Sequence, residues 1–514
     1  MPYLVLWEIS RKQNYIFQSN KLKENRGASI IIEYVIEELP KKLGKGYEKL
    51  LIYNGGGNSL YEFDNLEETK AFIKDVSEKT LEDFPGVELF MIIEEYDDKK
   101  DKVTEKIKDA YKKLERKKNR RKYSGGQISF GIEETCESSG LPASCMDRRD
   151  IDNPSRLISN ETNVKIEYSY DDSKKFEGLL PKGIRGIREF RELVKGDKKH
   201  IAVVHIDGNR MGQKMEQLED CFDYGKGDKS KTNREYLKAL KYFSLKIKQS
   251  YEDAFRTMTN IINQNKDNLE DDTKIKEGFF PVIPIIVAGD DITYVTNGKI
   301  GIESAKIFLQ HLSSKEIVIY NGKTTRLNAC AGVAIGHVST PFSSLYQMAE
   351  ELCNNGKRKL ALDYGDQDFS LIDWHVVQGD ILGSISEIRQ KHYKAQADKK
   401  KLYMRPLYIN NYRRDGNSWR SYANFKVAYG NITKREIYNN KVARNKLKEL
   451  QGVLKRGEQA ADIFLETNNI KNYFAGFEDA QTENCFYNDR CIYYDAIEIM
   501  DLFIELDRRG GGDD

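Results

Sequence analysis

The hydrophobic positions of this chain fall into two copies of one pattern. In the first copy, residues 2–9 read as a strand, and Asn14 to Leu39 carry helical spacing with a break expected at Arg26-Gly27. LLIYN (50–54) and SLYEF (59–63) then flank the glycine turn Gly55-Gly56-Gly57. A helical stretch at 67–84 and a strand at 87–96 complete a β-α-β-β-α-β order, the ferredoxin-like layout of small two-layer domains. In the second copy a strand at 201–206 runs into Asp207, a long helical region covers 233–265, and VIPIIVAGDDITYV (282–295) reads as a hairpin. A helix at 300–313 and the strand LNACAGVAIG (327–336) follow. Where the first copy has Gly55-Gly56-Gly57, the second has Ala288-Gly289-Asp290-Asp291. One copy has the turn without the carboxylates, which predicts a catalytic copy and a structural or nucleotide-holding copy.

The rest of the pattern divides the chain. A charged helix at 101–122 carries KNRRK, which suits either a solvated face or a phosphate contact. Residues 123–185 are rich in Ser, Gly, Asn and Asp and read as an insertion joining the halves; beyond 376 the stretches are mainly helical, including 435–456 and 457–468. The expected class is α+β. Its expected domains are 1–122, a linker at 123–195, the carboxylate-bearing domain at 196–379, and a helical domain at 380–514.

Composition narrows the setting. A chain of 514 residues exceeds one typical domain. No apolar run approaches the roughly 18 residues of a membrane span, and MPYLVLWEIS reads as a strand containing Glu8 instead of a signal peptide. Seven scattered cysteines suit a reduced chain, so a cytoplasmic location without a membrane partner is expected. The net charge of +2 conceals a polarity: residues 389–456 hold 19 Lys+Arg against 4 Asp+Glu, and 457–514 hold 4 against 14. Such a basic tract predicts a nucleic-acid partner.

The candidate chemistry is carboxylate chemistry. Asp207, Asp290 and Asp291 stand at the ends of strongly apolar strands, where unpaired carboxylates are costly without a cation. A polar turn accounts for Gly-Asp-Asp alone, but not for the third carboxylate at a corresponding strand end. Oxygen ligands of this kind predict Mg²⁺ (or Mn²⁺) acting on a polyphosphate. Gly208 and Gly212 bracket a turn where backbone N–H groups could meet phosphate, Lys214 is either a phosphate contact or a surface residue, and Lys357 and Lys359 end an amphipathic helix at 343–359. His205 points to the same strand face as Asp207, and His375 in LIDWHVV reads as a satisfied buried histidine. Cys136 and Cys145 lack the paired spacing of structural zinc and read as free cysteines. No Ser/His/Asp arrangement or phosphate loop of the GxxxxGK[ST] type is present.

Several separated segments together resemble the large polymerase-cyclase subunit of type III CRISPR effector complexes. WEISRKQNYIFQSNKLKENRGAS (7–29) and IYNGGGNSLYEF (52–63) resemble that family's first palm domain; HIDGNRMG (205–212) and AGDDITYV (288–295) resemble its catalytic second palm. AGVAIGHVSTPFSSLYQMAEELCNNGKRK (331–359) and LIDWHVVQG (371–379) resemble the path out of that palm. The resemblance implies conversion of ATP into cyclic oligoadenylates, with Asp207, Asp290 and Asp291 catalytic and binding Mg²⁺. It further implies that Lys357 meets phosphate, that Gly55, Gly56 and Gly57 shape the opposite nucleotide site, and that Gly208 and Gly289 border the bound nucleotide. Implied partners are guide RNA and target RNA, within a ribonucleoprotein of other CRISPR-type subunits. Three departures are visible. The HD nuclease domain that often opens the family is not expected, since the first palm starts at residue 3; Ala288 replaces the first glycine of Gly-Gly-Asp-Asp; and the zinc segment is reduced to Cys136 and Cys145. A non-catalytic RNA-binding scaffold and a free-standing nucleotide cyclase are the alternatives.

Overall fold

The computed structural model describes residues 1–120, 129, 131–150, 153–170, 176, 178–182, 187, 189–194, 199–225, 227–266, 269, 280–365, 367–379, 383–410, 419–433 and 442–506. It is an α+β fold built around two sheets of like topology. The first sheet has the order β2-β3-β1-β4, formed by β1 (Tyr3–Ser10), β2 (Leu51–Gly55), β3 (Asn58–Phe63) and β4 (Glu88–Glu95). β1 lies centrally, antiparallel to β3 and β4, and is apolar on both faces because both are covered. Leu4 and Leu6 join one core cluster and Val5, Trp7 and Ile9 the other, as the period of a strand requires. Helices α1 (Lys12–Phe17), α2 (Leu22–Glu33) and α3 (Leu39–Lys42) connect β1 to β2, α4 (Leu66–Asp83) connects β3 to β4, and α5 (Val103–Asn119) follows.

After the small hairpin β5 (Cys145–Asp147) and β6 (Arg156–Ile158) comes α6 (Asn160–Ser169). Then the pattern repeats: β7 (His200–Gly208), α7 (Met211–Glu219), α8 (Lys229–Gln264), β8 (Val282–Ala288), β9 (Asp291–Asn297), α9 (Gly301–Ser314), the hairpin β10 (Glu316–Tyr320) and β11 (Lys323–Arg326), and β12 (Ala329–His337). The second sheet reads β14-β13-β12-β7-β9-β8. The run β12-β7-β9-β8 reproduces the order β4-β1-β3-β2 of the first sheet, and α10 (Phe342–Tyr364) leads to β13 (Leu371–Val376), parallel to β12. The remaining elements are α11 (Ile385–His392), β14 (Leu407–Tyr408), α12 (Tyr422–Thr433), α13 (Arg444–Leu454), α14 (Glu458–Thr467), β15 (Phe486–Tyr487), β16 (Arg490–Cys491) and α15 (Tyr494–Ile499). No helix among the described residues is long and apolar enough to cross a membrane.

One expectation is corrected, and three features add to the reading. Arg26-Gly27 does not break a helix: the interruption falls at residues 18–21, and Gly27 lies inside α2. It is glycine because α6 approaches so closely that a Cβ there would stand 1.6 Å from the Lys165 carbonyl oxygen. The insertion is therefore packed against the first half, with buried Arg156 bonded to Glu24 at 2.8 Å and to Asp147 at 2.9 Å. The hairpin β10–β11 adds to the expected order: β10 (EIVIY) is apolar but short, and β11 (KTTR) carries no apolar residue to mark it as its partner. Of the helix expected at 435–456, the described part is α13 alone, and residues 434–441 lie outside the described residues.

The last feature concerns charge. The basic tract is paired with the acidic tail that follows it: Lys400 with Glu458, Lys401 with Asp489, buried Arg405 with Asp495 and Glu498, Lys426 with Glu505, and Arg444 and Lys448 with Asp501. Arg389 turns inward to Asp373. Six of the tract's 19 cations are thus balanced within the chain by the acidic tail. Arg413 and Arg414, together with Arg121 and Lys122 of KNRRK, lie outside the described residues.

Candidate active site

The two strand-to-helix junctions correspond residue by residue. Arg11 and Arg210 both adopt left-handed backbone, each with φ 53°, immediately before α1 and α7. Counting back, Glu8 corresponds to Asp207. Register agrees: Glu8 faces Asn58 across the first sheet as Asp207 faces Asp291 across the second. The Ile9 N–H donates to the Gly57 carbonyl at 3.0 Å, and the Gly208 N–H donates to the Asp290 carbonyl at 3.2 Å. Gly57 and Asn58 thus stand where the second half has Asp290 and Asp291. In the first half the lone carboxylate, Glu8, is closed off by Lys118 at 3.0 Å.

The two hairpin tips meet. Gly289, at φ 64°, sits so near the other hairpin that a Cβ would lie 3.6 Å from the Gly56 nitrogen. Gly56 and Gly57 also have positive φ, which their tight turn requires. Beside this contact lies a cavity of about 330 Å³ lined by Lys12, Gln13, Gly55, Gly56, Asn58, His205, Asp207, Asp290, Asp291, Glu350 and Asn354. The three predicted carboxylates are therefore gathered into one pocket facing the first glycine hairpin. Gly208 lies beneath it, where a Cβ would stand 2.7 Å from the Tyr251 hydroxyl and 2.9 Å from Asp290 Cβ. Stacking of Phe17 on Tyr346, ring centroids 3.7 Å apart, joins α1 to α10 at the rim.

Cations reach two of the carboxylates. Lys357 donates to Asp207 Oδ2 at 2.5 Å and to the Gly208 carbonyl at 3.0 Å; Lys12 donates to Asp291 Oδ2 at 3.2 Å and to the Gly56 carbonyl at 2.7 Å. Burial, and then the negative charge of Asp207, pushes the Asp290 carboxyl up to about 6. Burial and the same carboxylates raise the hydroxyl of Tyr251, which has no hydrogen-bond partner among the described residues. Asp291 Oδ1 is likewise buried without a hydrogen bond, 3.8 Å from His205 Nδ1, whose own bond is to Thr293 Oγ1 at 3.0 Å.

Among the described residues, no group of three or more His, Cys, Asp or Glu side chains converges as a metal cluster. The donor set is nevertheless that of a hard cation, all carboxylate oxygen, with one orphaned oxygen and one carboxyl raised by burial and by the charge of Asp207. These residues fit a divalent ion in chemistry, while lysines Lys12 and Lys357 supply the counter-charge.

Other predicted residues part from the pocket. Lys214 is neither a surface lysine nor a free phosphate contact: it is buried on Asp368 at 2.7 Å. Lys359 is buried against Asp363, and burial depresses it to about 8. His375 is buried, as expected, and lowered to about 4 chiefly by desolvation. Cys136 is buried, Cys145 exposed, and both are free. Lys12, Asn58, Glu350 and Asn354 were not singled out from sequence, although Glu350, Asn354 and Lys357 recur at one-face spacing along α10.

No family profile matches the chain, and no curated protein matches it in sequence. Solved structures do. A Csm1-Csm4 cassette in complex with cA4 matches over 98% of this chain and 69% of that chain, with a TM-score of 0.57 and 14% identity. The cassette in complex with one ATP matches over the same shares at a TM-score of 0.55 and 14% identity. The Csm1-Csm4 subcomplex of the type III-A CRISPR-Csm interference complex matches over 98% and 69%, at 0.52 and 15% identity. The likeness is one of fold, and it is to the group of structures that the sequence segments resemble.

Proposed function

We propose that this chain is the nucleotidyltransferase subunit of a type III CRISPR effector complex, converting ATP into cyclic oligoadenylates. One observation carries the reading: Asp207, Asp290 and Asp291 line a single pocket against the glycine hairpin of a topologically equivalent half. The fold likeness to cassettes solved with cA4 and with ATP supports it. On this reading residues 1–122 and 196–379 are the two palms, 123–195 joins them, and 380–514 is the helical domain that meets other subunits and RNA.

Asp207, Asp290 and Asp291 would hold Mg²⁺ or Mn²⁺, which when bound lowers the pKa of an attacking hydroxyl and neutralises the triphosphate. A ribose hydroxyl of one nucleotide attacks the α-phosphorus of another. The new P–O bond forms as the bond to the β-phosphate bridge breaks, pyrophosphate leaves, and the hydroxyl proton passes to a carboxylate or water. Lys12 and Lys357 supply positive charge at the pocket wall, and the Gly55–Gly57 turn lets backbone approach the ligand. Positioning and charge neutralisation are most of what phosphoryl chemistry asks of a protein.

The test replaces Asp290 and Asp291 together with Ala and follows pyrophosphate release and product masses with ATP and Mn²⁺, in the complex carrying target RNA. Turnover is expected to vanish; unchanged turnover removes this pocket from the mechanism. A scaffold role without catalysis is favoured by the lysine pairing of Asp207 and Asp291. It predicts no turnover in the unaltered complex and normal assembly of the double variant.

A further inference from the structure

Lys12 and Lys357 do not stand in equivalent places. Lys357 bonds Asp207 and the neighbouring Gly208 carbonyl, both in its own half of the chain. Lys12 reaches across: it belongs to the first half, holds Gly56 of that half, and extends to Asp291 of the second. The repeat shows that the junction does not need it. Arg11 and Arg210 share one backbone conformation, so Lys12 corresponds to Met211, an uncharged residue that builds the same strand-to-helix turn.

The pair it makes is exchangeable. Its side chain is 24% exposed, it touches one oxygen of Asp291, and the other oxygen has no hydrogen bond. Its second anchor, the Gly56 carbonyl, lies on the pocket wall. An ammonium released from Asp291 therefore stays at that wall, beside Gly55 and Asn58. Charge count sets the direction: four carboxylates line the cavity, Glu350 included, and among the described residues only Lys12 and Lys357 reach them as fixed cations. A polyphosphate entering alone meets net repulsion, and a metal entering alone meets Lys12 on one of its ligands.

We propose that Lys12 is a built-in counter-cation that competes with divalent metal for Asp291 and transfers to the nucleotide's polyphosphate when metal binds, so that metal and nucleotide favour each other's entry. This rests on the carboxylate pocket being the nucleotide site. By linkage, whatever Lys12 costs the metal alone reappears as coupling between metal and nucleotide.

The test measures Mn²⁺ affinity of the full chain from the free-ion electron paramagnetic resonance signal, with and without α,β-methylene-ATP, which cannot react. Lys12→Met removes the charge; Lys12→Gln removes it but can still donate to Gly56, which guards against a folding defect; Lys12→Arg keeps it. Without nucleotide, both neutral variants are expected to bind Mn²⁺ roughly fivefold more tightly, the scale of a partly exposed ion pair. The enhancement by α,β-methylene-ATP falls by a similar factor in both, while Lys12→Arg stays near the unaltered protein. Unchanged or weaker Mn²⁺ affinity in a folded Lys12→Gln chain, with binding still lost in the Asp290/Asp291 double variant, overturns this inference alone. Mn²⁺ binding by neither protein overturns the metal reading and this inference with it.

Discussion

Asp290→Asn is expected to stabilise the metal-free protein, and only above mildly acidic pH. The carboxyl has an ordinary value of 3.8 and is pushed up to about 6 by burial and by Asp207 and Asp291. Well below 3.8 it is neutral in folded and unfolded chains alike, so the unaltered protein loses nothing. As pH rises from 4 to 6 the unfolded chain ionises while the folded one holds its proton. Stability falls until the folded carboxyl ionises too, near pH 6. The shift of about two units is worth about 3 kcal/mol at 1.36 kcal/mol per unit. Asparagine keeps the shape and cannot ionise, so it escapes that loss. With about 2.1 cal/mol/K of unfolding entropy per residue, the gain is about 3 °C in Tm if the whole chain melts as one unit, and more if the second half melts alone. The assay is differential scanning calorimetry in EDTA at pH 4.5 and 7.5. Equal melting of the two proteins at pH 7.5, or the same gain at both pH values, refutes the electrostatic account. Added Mn²⁺ is expected to reverse the order at pH 7.5, because binding to the folded protein alone stabilises it by mass action.

Gly208→Ala is expected to leave the circular dichroism spectrum unchanged while lowering turnover on the order of 100-fold, since the new methyl presses on Asp290 and Tyr251 and misplaces a ligand. Arg405→Met strands Asp495 and Glu498 in the interior, and a loss of about 3–5 kcal/mol is expected in denaturant titration. Charge reversal of Arg413 and Arg414 is expected to weaken RNA binding by the assembled complex and reduce its salt slope by about one to two. Unchanged affinity and slope across a salt series would count against RNA contact there.

The repeat and its hairpins were legible because strand and helix periods differ, and because a glycine turn and a Gly-Asp-Asp turn occupy matching places. The approach of Asp207 to Asp291 was legible for the same reason, since strand ends in one sheet are neighbours. Lys12 was not, because it comes from the other half, and a lysine in a charged segment carries no mark of its distant partner. Gly27 misled for a related reason. Glycine marks both a chain break and a close helix crossing, and only the neighbour, here Lys165, tells them apart. Lys214 and Lys359 misled because each is buried on an aspartate that lies beyond it in the chain, Asp368 and Asp363. The basic tract carried a true charge imbalance, but its balancing charges lay in the segment that follows.

That ordering has a bearing on synthesis. A ribosome delivers residues 389–456 before the carboxylates of Glu458, Asp489, Asp495, Glu498, Asp501 and Glu505 exist to receive them. During that interval the nascent chain trails an unbalanced cationic stretch next to the ribosome's own polyanion. The first sheet and, apart from the edge strand β14, the second precede residue 377 and can consolidate as they emerge. The pairing of this stretch has to wait for Glu458 to Glu505, so its packing is tied to their synthesis, and a chain stalled before them is exposed to electrostatic capture at the place where it was made.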